Sequence, residues 1–296
     1  MDASAIADPL FLQAVKFIDS GNIAELEDLI ANHPRLVTDR LPTNGQGYFK
    51  DPYLLWFVAD NPIRMEKLPA NIVHVTEFLV RAVKREAPET WQQQVDYTLG
   101  LVTTGRIPHE CGVQITMIDL LVDAGASPAG VMGALANGNV DAARHLIHRR
   151  AELTLGAAVC LDLAGNIDRL AALANAGEKL TALTAAAFYG KTQMVKRLLA
   201  MGIDPNGYPE ADSGIHSHGT PLHQAVASGS LDTVKLLVEA GAKLDARDKI
   251  YHGSPLGWAD YMQRDDESNE AMKTNFARIE AYLREADKTD QSPTIA

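Results

Sequence analysis

Histidine, cysteine and clustered carboxylates are the side chains of this 296-residue sequence that could do chemistry, and three short stretches bring them together. His216-Ser217-His218 sets two imidazoles at alternate positions of an extended loop, with Glu210 and Asp212 close by in sequence. That spacing suits a transition-metal site, but no third or fourth ligand is identifiable and there is no second His-x-His pair. The pair is therefore expected on a loop that faces solvent or a partner. His109-Glu110-Cys111 sets a base beside a thiol. Neighbours on one turn seldom face each other, and Cys/His pairs that do chemistry come from separated segments. Cys111 is expected to open a helix and pack, and Cys160, between Val159 and Leu161, to be buried. Asp265-Asp266-Glu267 lacks the spacing of a calcium loop and reads as a solvated turn. No G-x-S-x-G, P-loop or H-E-x-x-H occurs. The expectation is a protein without catalytic residues, metal or cofactor.

Aromatic side chains in loops point to a different kind of chemistry. Tyr48, Phe49 and Tyr53 come together near one another, Tyr208 lies in a long polar stretch, and Tyr251-His252 falls at a turn. Loop aromatics without a core to fill suit anchoring of a partner. They form, with His216 and His218, the expected partner-binding set. Trp56 and Trp258 fit a core or an exposed place equally well. The formal charge of −11 argues against nucleic acid or an anionic membrane and permits a basic protein partner. Two distant cysteines make a disulfide framework unlikely and a reducing compartment the better fit. No apolar run reaches transmembrane length, and the start of the chain lacks the positive and apolar regions of a signal peptide. A cytoplasmic monomer is expected.

Residues 219–247 show which elements must position these groups. Thr220 can cap a helix, and Pro221 can occupy its first position, where a missing N–H costs nothing. Leu222, Ala225 and Val226 recur at helical spacing, and Gly229 stops the helix. Ser230 caps a second helix striped by Leu231, Val234, Leu237 and Val238, which Gly241 ends. Two helices this short are stable only when stacked on neighbours. The same turn between paired helices recurs at Gly21-Asn22, Asn61-Pro62, Gly105, Gly138-Asn139, Gly165-Asn166, Gly190-Lys191 and near Gln263, which makes about eight pairs. Residues 91–96 and 177–181 read as connectors, and residues 62–69 as an insertion.

Thr220-Pro221-Leu222-His223-Gln224-Ala225 fills every position of the T-P-L-H-x-A signature, and Ser254-Pro255-Leu256-Gly257-Trp258-Ala259 is a weaker copy. The sequence thus resembles the ankyrin-repeat family, and its long second and third units look like a bacterial group with inserted units. The resemblance implies an all-α solenoid. One array would fill residues 1–287, irregular over 9–128, short over 129–181 and more regular over 182–286, before a disordered tail at 288–296. It also implies a structural role for Thr220, Pro221, Leu222, His223, Gly229 and Gly241, with His223 tying backbone groups together. The function implied is a non-enzymatic scaffold that binds a protein through its concave face and loop tips. The alternative left open is a small-molecule or metal site built from the long loops and the irregular middle.

Overall fold

The computed structural model describes residues 6–43, 47–265 and 269–290, and the chain divides into two compact units, residues 1–152 and 153–296. Each unit is built from four helix pairs.

In the first unit the pairs are α1 (Pro9–Ser20) with α2 (Ile23–Asn32), a 3-10 helix (Leu54–Ala59) with α4 (Ile72–Glu86), α5 (Trp91–Thr104) with α7 (Gln114–Ala124), and α8 (Val131–Ala136) with α9 (Val140–His148). Two one-turn helices, α3 (Arg35–Thr38) and α6 (Arg106–Glu110), fill connections. First helices stack on first helices, α1 on the 3-10 helix, then α5, then α8, while α4, α7 and α9 form the second layer. The 3-10 helix is apolar on every side and wholly buried, from Leu54 to Ala59, as a segment covered on all faces must be.

In the second unit the pairs are α10 (Leu155–Cys160) with α11 (Ala164–Leu173), α12 (Ala176–Phe188) with α13 (Thr192–Ala200), α14 (Pro221–Ala227) with α15 (Leu231–Glu239), and α16 (Pro255–Arg264) with α17 (Glu270–Asp290). The layering is the same: α10, α12, α14 and α16 in order, backed by α13, α15 and α17. One continuous core runs through it, including Val159, Leu183, Val195, Leu222, Leu237, Phe276 and Ile279.

The tight turn inside several pairs uses one residue with positive φ. Gly21, Gly138, Gly190 and Gly229 supply it at 72°, 75°, 60° and 69°. In the fifth pair Asp162 does so at 59°, and the Gly165-Asn166 of the sequence reading lies inside α11. In three pairs the residue that opens the second helix reaches back to the preceding pair of its own unit. Asn71 Nδ2 donates to the Gly21 carbonyl (2.8 Å), Asn139 Nδ2 to that of Thr103 (2.9 Å), and Lys191 pairs with Asp162. Thr192 and Thr233 share a hydroxyl hydrogen bond of 2.9 Å. These bonds set the register of one pair on the next.

Several boundaries differ from the sequence reading. Residues 91–96 belong to α5, because the buried stripe of Val95, Thr98, Leu99 and Val102 extends back to Gln94, whose amide donates to the Val37 carbonyl. Residues 177–181 are the opening turns of α12, started by a capping box between Asn175 and Glu178. Cys111 does not open a helix: Gly112 at φ +70° breaks the chain after α6, and Cys111 is exposed. The last helix continues to Asp290, past the residue where a tail was expected, and residues 291–296 lie outside the described residues.

Candidate interaction surface

The surface is built from Asp248 outward. This carboxylate is 1% exposed and accepts hydrogen bonds from four donors. They are the backbone N–H groups of Ile250 (2.9 Å), Tyr251 (2.6 Å) and Gly253 (2.7 Å), and the indole Nε1–H of Trp258 on α16 (3.0 Å). Burial alone would push its carboxyl up; the bonds from Tyr251, Trp258, Ile250 and Gly253 outweigh it and hold the group far below the carboxylate range. The Asp248 N–H donates to the Gly253 carbonyl (2.9 Å), closing the loop, and His252 makes the turn at φ +54°. A left-handed conformation at a non-glycine residue is held only when its surroundings over-determine it, and four bonds to one buried carboxylate do so.

The loop of residues 203–219 lies beside this one. Tyr208 Oη donates to the Arg247 carbonyl (2.6 Å), and the Lys249 N–H donates to the His218 carbonyl (2.8 Å). Lys249 Nζ stands 4.6 Å from the centre of the Tyr208 ring. Asn206 donates to the Gly241 carbonyl (3.0 Å) and accepts from the Lys243 N–H (2.9 Å). Beneath the loops, rings touch in series: Phe188 and His216 (4.4 Å between centroids), His216 and His218 (5.9 Å), His218 and Trp258 (5.7 Å), Trp258 and His223 (5.0 Å).

His223 bridges two backbone groups. Its Nδ1 accepts from the Thr220 N–H (3.2 Å), while its Nε2 lies 3.0 Å from the Gly253 carbonyl, which fixes Nε2 as the protonated nitrogen. Burial pushes its pKa down; the Gly253 carbonyl and Asp248 pull the other way without overcoming it. Thr220 caps α14, Pro221 and Leu222 are buried, and Gly241 has φ +88°.

The expected partner-binding residues separate into two groups. Tyr251 is 80% exposed at the loop tip, with His252 exposed beside it; Tyr208, His216 and His218 are half-buried. Tyr48, in the first unit, is 59% exposed, and its hydroxyl donates to Asn61 Oδ1 (2.9 Å). Phe49 and Tyr53 are buried, which corrects their reading as loop anchors. Both pack on the 3-10 helix, Phe49 against Phe57 (5.3 Å) and Tyr53 against Trp56 (5.4 Å), so they do have a core to fill. Trp56 is a core residue stacked on Tyr97 at 4.0 Å. Asp248, Ile250 (57% exposed) and Tyr261 (70% exposed, on α16) were not singled out from the sequence. An aspartate in a polar loop has no signal of its own until the fold shows which N–H groups surround it.

The other candidate chemistry does not assemble. No group of three or more His, Cys, Asp or Glu could hold a metal ion among the described residues, and His216 and His218 belong to the ring series. The Cys160 thiol is buried in α10, and burial pushes its pKa up to about 12. Of the 265–267 carboxylates, Asp266 and Glu267 lie outside the described residues.

Comparison with known proteins gives a match to a model described as ankyrin repeats (3 copies), over residues 130–248. Residues 130–248 are thus ankyrin repeats. A stretch of 67 residues is 40% identical to part of potassium channel GORK of Arabidopsis thaliana, covering 23% of this chain and 7% of the channel. Another match, 42% identical over 77 residues, is to potassium channel KOR1 of Oryza sativa subsp. japonica, covering 26% of this chain and 8% of that protein. The chain spans less than a tenth of the length of these curated relatives. Among solved structures, the human ASB11 ankyrin repeat domain aligns over 97% of this chain and 99% of that one, at 17% identity and a TM-score of 0.34. Within the repeats of this protein, the loop surface of the second unit lies at residues 203–219 and 241–253, in the connections into the seventh and eighth helix pairs.

Proposed function

We propose that this ankyrin-repeat protein is a non-enzymatic scaffold whose second unit holds a partner protein on the loops of residues 203–219 and 247–253. Ankyrin repeats are in general protein–protein interaction modules and the family is typically non-enzymatic. One observation carries the assignment to these loops: Tyr251 is 80% exposed at the tip of a loop that Asp248 holds in a single conformation. A large side chain displayed on a fixed backbone loses little conformational freedom on binding, which is what an anchor residue requires. The two thiols are free, which agrees with the cytoplasm as the place of action, and no described helix is long and apolar enough to cross a membrane.

The test compares partner recovery by the wild type and by Tyr208→Ala/Tyr251→Ala at matched far-ultraviolet circular dichroism. Recovery should fall at least ten-fold in the double variant. Equal recovery from equally folded proteins would remove these loops from the function.

A further inference from the structure

The charge of the protein as a whole and the charge of this loop have opposite signs. The chain carries −11 overall, which favours a basic partner. In residues 241–253, however, the charged side chains are Lys243, Arg247 and Lys249 against Asp245 and Asp248. Asp248 is buried and its oxygens are taken up by four internal donors, so it offers no acceptor to a ligand, and three cations against two carboxylates leave the loop with a net positive charge. Lys243, Arg247 and Lys249 are exposed, and among the described residues none of them pairs with a carboxylate. Arg247 donates to the His252 carbonyl (3.3 Å) and Lys249 rests on the Tyr208 ring, contacts that orient both cations without neutralising them. On the neighbouring loop, Asp204 accepts from Asn206 and Glu210 lies beside Gly177 at the start of α12. Between Arg247 and His252 the loop displays Ile250 and Tyr251, 57% and 80% exposed.

We infer that the partner segment read by this loop is acidic and carries an aromatic or large aliphatic residue, its carboxylates meeting Arg247 and Lys249 while the apolar side chain seats on Ile250 and Tyr251. Cations flanking an apolar contact supply orientation and discrimination against basic segments, and the apolar pair supplies the area. Asp248 is a positioning residue in this arrangement: it faces inward and sets where the cations and the tyrosine stand. The inference rests on the reading of these loops as the interaction surface, and adds the chemistry of what they take.

The probes are random copolymers titrated into the full-length chain: poly(Glu,Tyr), polyglutamate and poly(Lys,Tyr). Poly(Glu,Tyr) should bind at least ten-fold more tightly than polyglutamate. Its affinity should fall at least five-fold in Arg247→Gln/Lys249→Gln and again in Tyr251→Ala, with thermal unfolding unchanged. Lys249→Gln alone touches only the Tyr208 ring contact and guards against a folding defect in the double variant. Poly(Glu,Tyr) binding that ignores all of these substitutions overturns the inference. Poly(Lys,Tyr) binding more tightly through Tyr251 and Tyr208 also overturns it, yet leaves the loops standing as an interaction surface. If no polymer depends on Tyr251 or Tyr208, both readings fall together.

Discussion

Asp248 and His223 meet at Gly253, one through its N–H and the other through its carbonyl, so the loop of residues 247–253 depends on two titratable side chains at once. Their linkage runs in the same direction. The Asp248 carboxyl is held far below its ordinary value in the folded state, so its stabilisation is complete above the unfolded value near ~4 and is lost as pH falls below it. His223 is held below its ordinary value by burial, so at a pH under ~6.5 the unfolded chain binds a proton that the folded chain refuses. Stability should therefore decline in two stages on acidification, first below ~6.5 and then below ~4. Asp248→Asn keeps the shape but gives up the charge-assisted bonds, at a cost of about 3 kcal/mol near neutral pH. Urea unfolding at a series of pH values checks this: the gap between wild type and Asp248→Asn should begin to narrow as pH drops below ~4 and go on narrowing as the solution is made more acid. A gap that stays constant would mean the carboxylate is not what holds the loop.

At the level of elements, the sequence shows a pair clearly wherever it contains its own start and stop signals. Thr220-Pro221 and Gly229, Ser254-Pro255, and Gly21 and Gly138 all mark turns or caps found in the structure. Elements were missed where one residue type did another's work. Asp162 makes the left-handed turn that glycine makes in other pairs, which moved the expected turn three residues on, into α11. Gly177 reads as the start of a connector, yet it stands at the second position of α12 because Asn175 and Glu178 cap one another. Exposure was less legible still. Phe49 and Tyr53 sit in loop sequence but pack on an apolar 3-10 helix that only the folded chain reveals. The capping box offers a direct check. Asn175→Ala removes the bond to the Glu178 N–H (2.9 Å) and should cost about 1 kcal/mol. Amide exchange should rise in residues 176–181, which project beyond the α12 core face, and stay unchanged around Leu183 and Ala186. Protection lost along the whole helix would show that the opening turns and the core-facing turns form one unit.

For the molecule as a whole, each pair in a unit packs chiefly on the pairs before and after it, so damage should spread according to position in the stack. The second unit allows a comparison between its last pair and an internal one. Phe276 of α17 is 1% exposed and its ring lies over the turn at Gly229; Leu222 of α14 is fully buried, with α12 on one side and α16 on the other. Removing either side chain to alanine costs about 3–5 kcal/mol, the range for a large buried apolar residue. That loss exceeds what a pair with a single neighbour keeps in reserve, since its interface is counted once where an internal pair's is counted twice. Phe276→Ala should therefore open α16 and α17 while α12 and α13 keep their amide protection. Leu222→Ala, at the same local cost, should lower protection from α12 through α17, because both flanking interfaces lose their partner together. Hydrogen exchange read by mass spectrometry separates these outcomes. Uniform loss of protection in Phe276→Ala would mean that the second unit unfolds as one cooperative block, and that its repeats are joined too tightly for nearest-neighbour behaviour.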